Sequence, residues 1–155
     1  MEAVLAAVEG SEIARALRVS RWGYATLNAA HILGIAALIG ANIPLNLRLL
    51  GVWADIPRAH FFRVLSPVAA GGFLLAITAG VLLFSVRARS YAEIAFFQGK
   101  LVLVILGAGA ALSLHFRYGR RLERAPERPL VSHALFSLVC WIGALVCGRF
   151  IAFAG

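Results

Sequence analysis

Four apolar runs take up most of this chain, at residues 22–47, 61–86, 96–116 and 130–153, and no Asp or Glu falls within any of them. Each is about 21–26 residues long, enough as a helix to cross roughly 30 Å of hydrocarbon. A chain with four such runs in 155 residues has almost nothing left from which to build a water-soluble core. Only 14% of its residues are charged and 61% are hydrophobic, with a mean hydropathy of +0.86; a soluble domain carries about 25% charged residues. The pattern predicts an all-α, integral membrane protein: a single domain over residues 1–155, built as an antiparallel four-helix bundle. The connections are short, so sequence neighbours pack antiparallel.

The formal charge of +8 does not indicate nucleic acid. The fifteen Lys and Arg residues stand between and at the ends of the apolar runs, where membrane proteins place anchors and topology signals. Basic residues in the first and third connections, with Arg63, number eight, against seven at the other side. The dense stretch 117–129, with five arginines, decides the sidedness. It predicts that loop on the cytoplasmic side of a bacterial inner membrane and both termini in the periplasm. Residues 2–18 set Val4, Leu5, Val8, Ile13 and Leu17 beside acidic and basic residues, an N-terminal amphipathic helix expected to lie at the interface. Glu2 and Glu9, with no basic residue among the first ten, are the reverse of a positive leader region, so this stretch is not expected to be a secretory signal. Cys140 and Cys147 lie seven residues apart, about 10 Å along a helix, too far for a disulfide.

A polar group in hydrocarbon is costly and marks function more often than elsewhere. One histidine falls in or beside each span: His31, His60, His115 and His133. In an antiparallel bundle His60, His115 and His133 share one end, while His31 lies about a third of the way in from the other. Tyr24, Asn28 and His31 fall on one helix face by their spacing of four and three. Lys100, Arg149 and Tyr91 come near the depth of His31, and Gly107 to Ala111 makes a flat side on the third span.

Three functional readings follow. His115 with His133 or His60 can clamp a b-type haem, with Lys100 and Arg149 pairing its propionates and the glycine face leaving room for the ring. His60, His115 and His133 can hold copper, with the two cysteines along a path. His31, Asn28 and Tyr24, with Lys100 and Arg149, can line a quinone or lipid pocket. The bland alternatives are interfacial hydrogen bonding by the histidines and close helix packing at Gly107 and Gly109. The carboxylate-free spans argue against a proton-coupled transporter, and hard cations lack ligands. No nucleophile–base pair, nucleotide loop or zinc motif points to an enzyme acting alone.

The segments His31-Ile-Leu-Gly34 and Asn46-Leu-Arg-Leu-Leu-Gly51 resemble the opening of an uncharacterised family of small bacterial four-helix membrane proteins. The likeness extends to Gly80 and Phe84, to Phe96 or Phe97 with Lys100, and to Trp141 and Gly148-Arg149, covering most of residues 20–153. Where that family carries aspartate, this chain has Asn46. A looser likeness is to copper-resistance D type membrane domains and small b-type cytochromes. The resemblance implies the fold and a role for His31, Lys100 and Arg149. Together these readings lead to an expected function: a membrane redox subunit that binds haem b and passes electrons between quinone and a partner. Copper handling, or a cofactor-free assembly subunit of a larger membrane complex, are the alternatives. The partners expected are the lipid bilayer, quinone and other membrane subunits or a second copy.

Overall fold

The computed structural model describes residues 2–119 and 125–154, and among these the chain is helix and short connection only. The elements in order are α1 (Glu2–Glu9), α2 (Glu12–Val19), α3 (Arg21–Leu49), α4 (Arg58–Val86), α5 (Ala88–Glu93), α6 (Ala95–Tyr118) and α7 (Glu127–Ala154). The helices α3, α4, α6 and α7 are long and apolar enough to cross a membrane. They match the four expected spans, each extended by a few residues. Arg120, Arg121 and Arg124 of the basic stretch lie outside the described residues.

The segment expected to be one amphipathic helix is two. Gly10 is a poor helix former, and Ser11 starts a new helix by accepting a hydrogen bond from the Ala14 amide at 3.3 Å. Ser20 repeats the device for α3, accepting from Gly23 at 3.0 Å. Both short helices fold back onto the start of the α4–α5 connection. Glu9 there pairs with Arg89 at 3.2 Å, and Arg18 donates to the carbonyls of Glu9 and Val86, each at 3.1 Å. This is the terminal end of the bundle; the 51–57 turn lies at the opposite, loop end.

The spans pair as two antiparallel hairpins, α3 with α4 and α6 with α7, which meet along α3 and α7. Glycines set the first hairpin. A Cβ on Gly34 would stand 2.5 Å from the Ala76 amide nitrogen, and one on Gly72 would stand 2.5 Å from that of Leu38. Only hydrogen fits at either place, so the two backbones touch. The second hairpin closes on side chains. Gly107 faces the Trp141 ring and Gly143 faces Leu103. No Cα of α4 comes within 8 Å of one on α6 or α7. Aromatic rings bridge that gap: Phe73 to Trp141 at 5.9 Å edge-on, and Phe84 stacked on Phe97 at 5.2 Å.

At the loop end, α3 stops on Gly51 at φ +98°, a left-handed residue that glycine adopts without strain. Val52 and Gly51 donate to the carbonyls of Leu47 and Arg48 respectively, the paired hydrogen bonds of a Schellman motif. The buried Arg48 guanidinium then holds the turn from below, donating to Ile56 at 2.6 Å and Ala54 at 3.2 Å. Pro44 and Pro67 sit inside α3 and α4 without ending either helix.

Candidate functional site

The polar groups separate into two ends of unequal character. At the loop end, His60 and His115 are exposed and His133 is half-buried. The His115 ring makes its aromatic contact edge-on with the adjacent Phe116, itself exposed. Among the described residues no group of three His, Cys, Asp or Glu side chains could hold a metal ion. The three histidines expected to form a copper site are therefore at one end but not gathered into a ligand set. Helical phase is the reason: sharing a depth does not turn side chains towards one another.

At the terminal end the groups converge. His31 of α3 reaches across to α4, its Nδ1 2.7 Å from the carbonyl oxygen of Ala76. A carbonyl only accepts, so Nδ1 carries a proton, and in the neutral form of the ring the lone pair is on Nε2. Gly80, one turn beyond Ala76 on the same face of α4, makes room for the ring: a Cβ there would stand 3.0 Å from His31 Cε1. Lys100 of α6 is half-buried and lies within electrostatic reach of His31. Its Cδ, Cε and Nζ run past Gly148 of α7, where a Cβ would be 3.7 Å from each. No hydrogen-bond or ion-pair partner for the Lys100 ammonium exists among the described residues.

Above this pair, Tyr24 of α3 stands beside Tyr91 of α5, whose ring stacks on Phe97 at 5.9 Å. Burial, then the Tyr24 hydroxyl, pushes the Tyr91 phenol above its ordinary range; nearby Arg87 pulls the other way. Below the pair, Trp141 of α7 is 4% exposed, and its indole Nε1 is a buried donor with no partner among the described residues. Trp141 touches Phe73, three residues from Ala76 on α4, so the orphan N–H lies about one helical turn deeper than the His31 contact.

Two residues expected in this pocket stand outside it. Asn28 is exposed, because it lies about 60° around α3 from His31 and α3 is covered on one side only here. Arg149 is exposed and packs its guanidinium over Phe153 at 4.8 Å. Conversely, Trp141 was legible only as a landmark of the resemblance. Its position mid-span, away from either interface where tryptophan usually sits, was the available signal.

The histidines expected to clamp haem, His115 with His133 or His60, lie at the loop end, away from this arrangement. His31 has no second histidine at its depth. The expected flat face is taken up, since Gly107 is covered by the Trp141 ring, and Gly109 has open space around it on the outside of the bundle. Cys140 and Cys147 are free thiols, the first buried.

No family model, curated protein or solved structure matches this chain.

Proposed function

We propose that the protein is a quinone-binding subunit of a membrane redox complex, with the quinone head group held between His31, Lys100 and Trp141. One observation carries the reading: two donors, the Lys100 ammonium and the Trp141 indole N–H, point into a carboxylate-free bundle and have no acceptor among the described residues. Unmade bonds of this kind are costly away from water. A ligand that relieves both must accept without needing to donate. A quinone does so, with two carbonyl oxygens on opposite edges of a flat ring. Phe73, Phe84 and Phe97 supply aromatic walls where α4 and α6 stand apart, and a gap that faces the hydrocarbon admits an isoprenoid tail.

The chemistry follows from the donors. Lys100 donates to a carbonyl oxygen and stabilises the negative charge that develops there on reduction. His31, fixed through Nδ1, presents Nε2 to accept the hydroxyl proton when quinol is oxidised. Electrons enter or leave through a partner subunit. In this reading loop 117–129 faces the cytoplasm of a bacterial inner membrane and the site lies in the periplasmic half.

The test is quenching of tryptophan fluorescence by added ubiquinone in nanodiscs, in a Trp22→Phe/Trp53→Phe background that leaves Trp141 as the sole reporter. Saturable quenching is expected, and Lys100→Met should weaken it about tenfold, ~1.4 kcal/mol. Quenching that does not saturate, or that Lys100→Met leaves unchanged, overturns the proposal. A reduced-minus-oxidised spectrum with sharp b-type bands would instead restore haem as the redox group.

A further inference from the structure

Fourteen of the fifteen basic side chains are arginines, and Lys100 is the one lysine. Arg63 and Arg149 stand about as far into their own helices but are exposed. Lys100 instead runs inward past Gly148, half-buried, with no hydrogen-bond or ion-pair partner among the described residues. An ammonium is a compact point charge that can rest on a single oxygen atom, where a guanidinium presents a fork to two. No carboxylate falls within the four apolar runs to offset that charge.

The groups around Lys100 include no acid of useful strength. A quinone that takes up one electron becomes a radical anion, whose protonated form is about as strong an acid as a carboxylic acid. Ammonium, phenol and indole groups are all far weaker acids than that. Lys100, Tyr24, Tyr91 and Trp141 therefore donate hydrogen bonds to the anion and keep their protons. His31, in its neutral form, holds its one N–H proton on the Ala76 carbonyl. The site thus stabilises added negative charge without neutralising it. It is also covered from the water side. Lys100 lies about 8 Å below the start of α6 at Ala95, and Tyr24 and Tyr91 stand above it. Hydride transfer needs ring-to-ring contact with a polar carrier, which that cover prevents; a single electron crosses without contact.

We infer that the quinone exchanges electrons with the partner one at a time, pausing as a radical anion paired with Lys100, so that the partner subunit carries a one-electron centre. In the first step the quinone gains one electron from that centre and no proton. In the second it gains one electron and two protons and becomes quinol; oxidation reverses both. This inference rests on the quinone reading.

The experiment is a mediator-poised redox titration of the full chain in ubiquinone-loaded nanodiscs, followed by electron paramagnetic resonance. It uses the background in which Trp141 is the sole tryptophan, so quenching reports quinone occupancy in the same sample. At intermediate potentials an organic radical should reach about tenfold the level found with ubiquinone in empty nanodiscs. Lysine labelled with the heavy nitrogen isotope should change the nitrogen modulation of the radical's spin echo, because Lys100 is the one lysine. Lys100→Met, compared at equal quenching, should lower the peak signal about tenfold, the square root of a roughly hundredfold loss in the radical's stability constant. Saturable quenching with no radical overturns this inference and leaves quinone binding standing. A radical that neither the labelled lysine nor Lys100→Met alters overturns it as well. Quenching that does not saturate overturns both readings together.

Discussion

His31 and Lys100 are neighbours with opposite roles in stability. His31 makes a helix-to-helix hydrogen bond and fills the space over Gly80. His31→Ala should therefore lower stability to unfolding in detergent by about 1–2 kcal/mol. Lys100 is half-buried with no partner for its charge among the described residues. A neutral chain of similar shape removes that cost, so Lys100→Met should raise the melting temperature by about 2–4 °C while weakening quinone binding. A variant that gains stability and loses binding marks a residue kept for a ligand. Tyr91 gives a pH signature. Burial favours its neutral phenol in the folded state. Its contribution is fully present below the ordinary phenol value near 10 and is lost as pH rises through the higher folded value. Ultraviolet titration should show one tyrosine ionising above the others, and Tyr91→Phe should delete that component alone.

Among the elements, the α3–α4 crossing is the least tolerant. At Gly34 an added Cβ meets the backbone of α4, which cannot rotate away as a side chain can. Gly34→Ala should cost about 1–3 kcal/mol in thermal denaturation. Gly109 of α6 has nothing within 4 Å, and there the same change should be neutral or stabilising by up to about 1 kcal/mol through helix propensity. Both glycines sit in long apolar runs and look alike in sequence; their neighbours come from a different helix. The four spans, by contrast, were legible to within a few residues, because run length and the absence of carboxylates are local properties. The break at Gly10-Ser11 and the short helix α5 escaped that reading. Each depends on a single cap or a contact across the terminal end rather than on a periodic pattern.

At the scale of the whole molecule, the two hairpins place Tyr24, His31, Lys100 and Tyr91 together at the terminal end and leave the remaining histidines apart at the other. Sidedness then decides which leaflet supplies the ligand. With the native thiols changed to serine, a single cysteine at Ser90 should label with a membrane-impermeant maleimide in intact spheroplasts. One at Glu127 should label only after lysis, as expected of a cytoplasmic 117–129 loop. The reverse pattern would move the proposed quinone site to the cytoplasmic half.

By itself the sequence determined the lipid solvent, the number of spans and their antiparallel order, since each follows from hydropathy summed along the chain. It also singled out His31, Lys100 and Tyr24 as costly groups in hydrocarbon. Only the tertiary structure decided which of them meet. Helical phase and the Gly34–Gly72 contact turn His31 onto Ala76, leave Asn28 and Arg149 on the outside, and bury the Trp141 N–H where no acceptor among the described residues reaches it. Those outcomes depend on how one helix is rotated against another. The packing of side chains across helices sets that rotation, and no single apolar run contains it.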